Sequence, residues 1–173
     1  MKKFTKISIL PLLLGMMMLF GANEIKAQKY TIAAGWRAGG GPNGVTLKVV
    51  PVKGFAIEGI YGIYPFGESL TVMLERSRPV LCIQALQVYT GIGAHRRFNY
   101  RSGIYSDPIN GTFEAIAPPG THGWGIDAIA GIELKIPLLP VAVSAEVKPM
   151  VEWNNAGNIL YGLDPALGLK VAF

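Results

Sequence analysis

The sequence predicts an all-β fold: an eight-stranded antiparallel up-and-down transmembrane β-barrel that follows a cleaved signal peptide. Three observations predict it. Apolar and polar residues alternate over runs of about ten residues, each closed by turn chemistry. Within those runs the charged residues keep to one side of the alternation, which leaves each strand an uncharged face across its middle. The chain opens on an export leader and closes on "LGLKVAF", where Leu167, Leu169, Val171 and Phe173 share one face and Gly168, Lys170 and Ala172 the other.

The leader is "MKKFTKISILPLLLGMMMLFGANEIKAQ". It carries Lys2, Lys3 and Lys6, then an apolar run from Ile7 to Phe20, then the small residue Ala27. The apolar run contains Pro11 and Gly15 and falls short of the ~20 residues that span a bilayer as a helix, so cleavage is expected between Ala27 and Gln28. No Cys stands near that point to accept a lipid. Lys2, Lys3, Lys6 and Lys26 against Glu24 give the leader +3, so the +5 of the whole chain falls to 5 − 3 = +2 once it is removed. The basic balance is therefore largely a targeting feature, and a nucleic-acid partner loses its support. Residues 28–173 fit one domain, and the single Cys, Cys82, cannot close a disulfide within it.

No stretch after the leader approaches the ~18 apolar residues of a membrane helix, and 22 Gly and 12 Pro punctuate the chain too often for long helices of any kind. The first strand is expected at "YTIAAGWRA", 30–38, turning through "GGGPNG", whose Gly and Asn accept positive φ. "VTLKVVPV", 45–52, turns at Lys53-Gly54 into "FAIEGIYGIYP", 55–65. "LTVMLERS", 70–77, is stopped by Arg78-Pro79, and "QALQVYTGIGAHR", 84–96, runs into a long polar stretch that is read as a loop over 97–122. "GWGIDAIAGIELKI", 123–136, reverses at "PLLP" into "VAVSAEVKPMVEW", 141–153, and "LYGLDPALGLKVAF", 160–173, follows "NNAGNI". With the first strand rising from the periplasm, the short reversals at 53–54, 78–83 and 137–140 lie on the periplasmic side with both termini. The loops at 39–44, 66–69, 97–122 and 154–159 then lie outside.

The alternation assigns a polar interior. Glu58, Glu75, Asp127, Glu133 and Glu146 face Arg37, Lys48, Lys135, Lys148 and Lys170, five acids against five bases. An eight-stranded barrel encloses room for side chains and little else, so these charges must neutralise one another and plug the lumen. A soluble periplasmic ligand-binding barrel would show the same alternation with its faces exchanged; the leader, the aromatic last residue and the 16% charged composition weigh against it. Tyr30, Trp36, Tyr61, Tyr64, Trp124, Trp153 and Tyr161 lie near strand ends, where interfacial girdles form.

On "GWGIDAIAGIELKIPLLPVAVSAEVKP" and the closing "LGLKVAF", the chain from about Tyr30 to Phe173 resembles the small eight-stranded outer-membrane barrels of Gram-negative bacteria, the OmpA membrane-domain and OmpX type. The resemblance implies a monomer in the outer membrane, surrounded by lipid and lipopolysaccharide. It also implies that Leu169, Val171 and Phe173 form the signal read by the barrel-assembly machinery. That fold hosts adhesins, enzymes and plain structural proteins, so it does not transmit a function.

A catalytic centre is hard to assemble from these residues. The two histidines, His95 and His122, stand in no His-x-Ser arrangement on one strand face, and His95 reads as a rim residue at the end of the fifth strand. Asp107, Asn110 and Glu114 fit no EF-hand spacing, and "GWRAGGGPNG" lacks the Gly-Lys-Ser/Thr of a phosphate loop, so no metal and no cofactor is expected. "HRRFNYR", 95–101, places Arg96, Arg97 and Arg101 where the fifth strand leaves the outer leaflet; they are read either as a charged loop base or as contacts to lipopolysaccharide phosphate. The leading expectation is a non-enzymatic outer-membrane barrel that displays loop 97–122 to an unidentified external partner. A small pore and a lipid A-modifying enzyme are the alternatives.

Overall fold

A computed structural model of the chain describes residues 31–65, 67–80, 83–99, 119–137, 139–155, 157 and 159–173, and the backbone alone over 103–107 and 111–117. Eight of its strands close into a barrel: β1 (Ile32–Gly39), β2 (Asn43–Val52), β3 (Phe55–Tyr64), β4 (Gly67–Val80), β5 (Ile83–Asn99), β8 (His122–Ile136), β9 (Val141–Asn154) and β10 (Ile159–Ala172). Each pairs antiparallel with the next barrel strand along the chain, β5 with β8 across the intervening hairpin, and β1 pairs with β10 to shut the sheet, Ala33 facing Ala172 and Gly39 facing Ala166. The other two strands, β6 (Gly103–Asp107) and β7 (Gly111–Ala117), form a separate hairpin between β5 and β8. No helix among the described residues is long and apolar enough to cross a membrane, which says nothing of strands.

The register fixes the diameter. Following paired residues around the barrel from Trp36 leads through Val45, Tyr61, Leu70, Arg96, Trp124 and Trp153 to Ile159, whereas Trp36 itself pairs with Leu169, ten residues further along β10. Eight strands offset by ten residues, at ~3.3 Å per residue and ~4.8 Å between strands, must tilt by about 41° around a backbone radius of about 8 Å. Side chains fill such a tube.

Inward and outward positions follow the pleat. Alternate residues of β4 point out (Glu68, Leu70, Val72, Leu74, Arg76) or in (Ser69, Thr71, Met73, Glu75). On the outer face of β4 only Leu70, Val72 and Leu74 stand between Glu68 and Arg76, two charges eight positions apart, about 26 Å of strand or roughly 20 Å along the barrel axis at this tilt. Ile57, Ile92, Ile126, Val143 and Leu169 continue this exposed apolar band around the outside. Midway down the lumen Ile60, Met73, Tyr89 and Ile129 pack into a small apolar plug. Glycines on the inner face give that plug its room: a Cβ on Gly131 would sit 2.6 Å from the Tyr89 ring.

The eight strands fall where the alternation places them, and the departures lie at the ends. β4 continues through Pro79 to Val80 because the register shifts there, and a residue without N–H is tolerated at such an irregularity. β5 runs on to Asn99, and the stretch expected as a plain loop over 97–122 holds the β6–β7 hairpin. The signal was present in Asn110-Gly111 between β-branched and aromatic residues, a strong short-range hairpin mark that reads equally as a simple turn. Tyr30 and Cys82 lie outside the described residues.

Gly131→Val, which drives a branched side chain into the Tyr89 ring, is expected to destabilise the barrel by about 1–3 kcal/mol. Gly59→Ala places its Cβ on the outer face with nothing nearer than 4.0 Å, and is expected to change stability by less than about 0.5 kcal/mol. Urea titration of the two variants in detergent micelles checks both.

Candidate functional site: a continuous charge network in the lumen

Every barrel strand sends at least one charged or hydroxyl side chain inward, and the pleat sets them at levels that interlock. At the end away from the termini, β5 contributes His95 and Arg97, β8 Asp127, and β9 Lys148 and Glu152, all buried. His95 Nδ1 lies 2.8 Å from Asp127 and Nε2 lies 3.0 Å from Glu152. An ionised carboxylate only accepts hydrogen bonds, so an imidazole placed between two of them donates from both nitrogens and is the imidazolium cation. Arg97 Nε closes on Glu152 at 3.0 Å, and Lys148 Nζ on Asp127 at 3.0 Å.

From there the chain of contacts crosses the barrel. Lys148 lies 3.8 Å from Asp164 of β10, which receives Arg37 of β1 at 2.9 Å; Arg37 Nε reaches Glu146 at 2.6 Å. The Tyr89 hydroxyl donates to Glu146, and its ring lies under Lys48 Nζ at 4.5 Å. Lys48 then touches Glu75 at 2.7 Å, Glu133 at 3.4 Å and Glu58 at 3.7 Å. Glu58 accepts from the Thr46 hydroxyl and from Lys170 at 2.7 Å. One network thus links Arg97 near one mouth to Lys170 near the other.

The balance of charge within it follows from the same geometry. The buried acids among the described residues are Glu58, Glu75, Asp127, Glu133, Glu146, Glu152 and Asp164. Arg37, Lys48, Arg97, Lys148 and Lys170 oppose them from buried positions, and Lys135 from a half-buried one. These six cations face seven acids, and His95 stands between two of them, Asp127 and Glu152.

The ten residues expected in the lumen all project inward, Lys135 nearest the terminal mouth. Four others join them. Glu152 and Asp164 continue the inward parity of Glu146 and Lys148 on β9 and of Lys170 on β10, but Pro149 and Pro165 stand between, so the run looks broken when read as sequence. His95 is a buried member of the network rather than a rim residue, because β5 continues past it to Asn99. Arg97 requires a further correction: it is a lumen residue paired with Glu152 and lying 5.4 Å from the Tyr64 ring, and it does not face lipopolysaccharide.

Arg96, of opposite parity, is exposed on the outer face with its guanidinium 5.0 Å from the Phe98 ring, and Arg101 lies outside the described residues. Tyr64 also turns inward, its hydroxyl bonded to Asn99, and so leaves the expected girdle; Trp36, Tyr61, Trp124 and Tyr161 are exposed outside, with Trp153 packed on Trp124 at 5.1 Å. Leu169 and Val171 of β10, and Phe173 just past its end, are exposed. His122 is exposed, its backbone N–H held by the Asn155 side chain at 3.2 Å.

The fold and site together define an eight-stranded antiparallel barrel filled by paired charge and clad in apolar side chains. Compared with protein-family models, with curated proteins and with solved structures, the chain matches none.

Lys170→Met strips Glu58 of its nearest cation and is expected to cost about 3 kcal/mol in a urea titration; adding Glu58→Gln should recover part of the loss, since a neutral pair no longer buries an unmatched charge. In nitrogen-15 spectra at pH 8, His95 is expected to show a bonded proton on each ring nitrogen, and Glu152→Gln to abolish one of the two signals.

Proposed function

We propose that this is a non-enzymatic integral outer-membrane β-barrel protein, exported by segment 1–27 and seated with its strands across the bilayer. On this reading its plugged polar lumen acts as a rigid post, and the 97–122 segment, with the β6–β7 hairpin, is the surface offered to an external partner. The single observation that carries this reading is the inversion of the two faces. Thirteen ionisable side chains are buried inside, whereas a band of Leu, Ile, Val and Trp looks outward. Water on the outside would meet the apolar face and solvate none of the charges; lipid on the outside matches both faces. The roughly 20 Å axial height of the uncharged outer face on β4 suits the hydrocarbon layer of a thin outer membrane.

The resemblance to OmpA- and OmpX-type barrels supports the same seating, with the termini and the short turns at the periplasmic end. A conducting pore needs an open path, and the radius of about 8 Å is taken up by side chains. A ligand-binding soluble barrel needs an apolar lumen, and this one is charged along most of its length.

Two measurements test the reading. In outer-membrane fractions the protein is expected to migrate as a compact band when unboiled and to shift on boiling; a soluble periplasmic protein without that shift would sink the proposal. In planar bilayers it is expected to pass no sustained current, and steady single-channel conductance would refute the plugged lumen.

A further inference from the structure

Outside the lumen, basic side chains converge on the rim that carries the termini. There the Lys53-Gly54 turn meets the end of β4, and Lys53, Arg76 and Arg78 border an open cavity of about 260 Å³ together with Phe55 and Gln87. No carboxylate lines it, and none of the three cations forms an ion pair among the described residues. The opposite rim differs: there the outward Arg96 pairs in register with Leu70, only two residues from the outward Glu68.

The cavity is built from both surfaces of the barrel. Gly54 takes φ 83°, which folds the turn tightly enough for its carbonyl to accept the Ser77 N–H at 2.9 Å, and this fixes Lys53 against β4. Arg76 follows Leu70, Val72 and Leu74 on the outer face, opposite Phe55 in register, and its guanidinium lies 5.4 Å from the Phe55 ring. A cation–π contact of that kind restrains the guanidinium beside the ring. Arg78 is the next outward residue of the strand. Three cations therefore stand at the boundary of an apolar surface whose nearest members, Phe55, Ile57 and Leu74, are exposed.

We propose that this groove binds the phosphate headgroup of an anionic phospholipid in the leaflet at the terminal end of the barrel, with an acyl chain along Phe55, Ile57 and Leu74. The proposal rests on the membrane reading above. A phosphate diester offers acceptor oxygens to Arg76, Arg78 and Lys53 at once, and the adjoining apolar wall gives the lipid a contact that a free anion has no use for.

Native mass spectrometry of the detergent-solubilised protein tests it, with phosphatidylglycerol, phosphatidylcholine or inorganic phosphate as probes. Wild type is expected to retain phosphatidylglycerol over phosphatidylcholine. The Arg76→Gln/Arg78→Gln pair should bind it about tenfold more weakly, with Arg76→Lys/Arg78→Lys intermediate. Inorganic phosphate should neither bind nor compete at equal concentration. Equal retention of phosphatidylglycerol by wild type and the Gln pair overturns the proposal, and so does effective competition by phosphate, which would make this a free-anion site. If the Gln pair does not fold, the wild type decides, and absence of preference between the two lipids overturns the proposal. The same samples are run unboiled and boiled. A wild type with no heat-modifiable band refutes the membrane reading itself, whereas a folded, membrane-extracted barrel with no lipid preference refutes the headgroup site alone.

Discussion

Seven carboxylates share a tube about 8 Å in radius, and their neutralisation is the constraint on which the rest of the structure depends. An unpaired ion in such a space is costly, and a pair repays its desolvation only when geometry and additional hydrogen bonds are both good. That requirement explains several features otherwise unrelated. The shortest ion pairs among the described residues run between strands, because partners must meet across the lumen: Arg37 of β1 reaches Glu146 of β9, and Lys170 of β10 reaches Glu58 of β3. Inner-face glycines accompany the longest side chains, since a Cβ on Gly125 would stand 2.5 Å from the His95 ring. His95 is charged for the same reason that Tyr89 is present. Each completes a contact that would otherwise leave a carboxylate short of a partner.

The exterior obeys the complementary rule. With acids and bases consumed inside, the strands expose Val, Leu and Ile across their middles, and among the described residues charge returns on the outer face near the rims, at Glu68 and Arg96 on one side and Arg76 and Arg78 on the other. One alternation therefore writes two surfaces. A slip of one residue in any strand would move a row of charges to the outside and a row of valines in, so the network fixes the register as firmly as the backbone ladder does.

Much of this was legible in the sequence. Eight strands, their approximate ends, and the parity that carries Lys48, Glu58 or Glu133 inward all follow from period-two patterning, which is strong where one face of a strand is uniformly apolar. The misreadings cluster where that pattern thins. Past His95 the next three residues are Arg96, Arg97 and Phe98, and two adjacent arginines look like a loop until the strand is known to continue and send only one of them inside. Pro149 and Pro165 hide the parity of Glu152 and Asp164 in a similar way. The doubly bonded imidazole was beyond reach for a different reason. It depends on β5 lying beside β8 at a particular stagger, and on Glu152, a strand further away, projecting to the same level; residue order carries no such distance.

The seam between β1 and β10 has a consequence for how the molecule is made. Every other pairing joins strands adjacent along the chain or separated only by the hairpin, but Ala33 meets Ala172 across nearly the whole length of the domain. Hairpins can zip locally and early, whereas this contact carries the largest loop-closure entropy and waits for the last strand. Until then Arg37 lacks both Glu146 and Asp164, and the half-built sheet is an open trough whose charges must be wetted. Closure expels that water and mates the charges in one act, so the final step of assembly is a desolvation as much as a strand pairing.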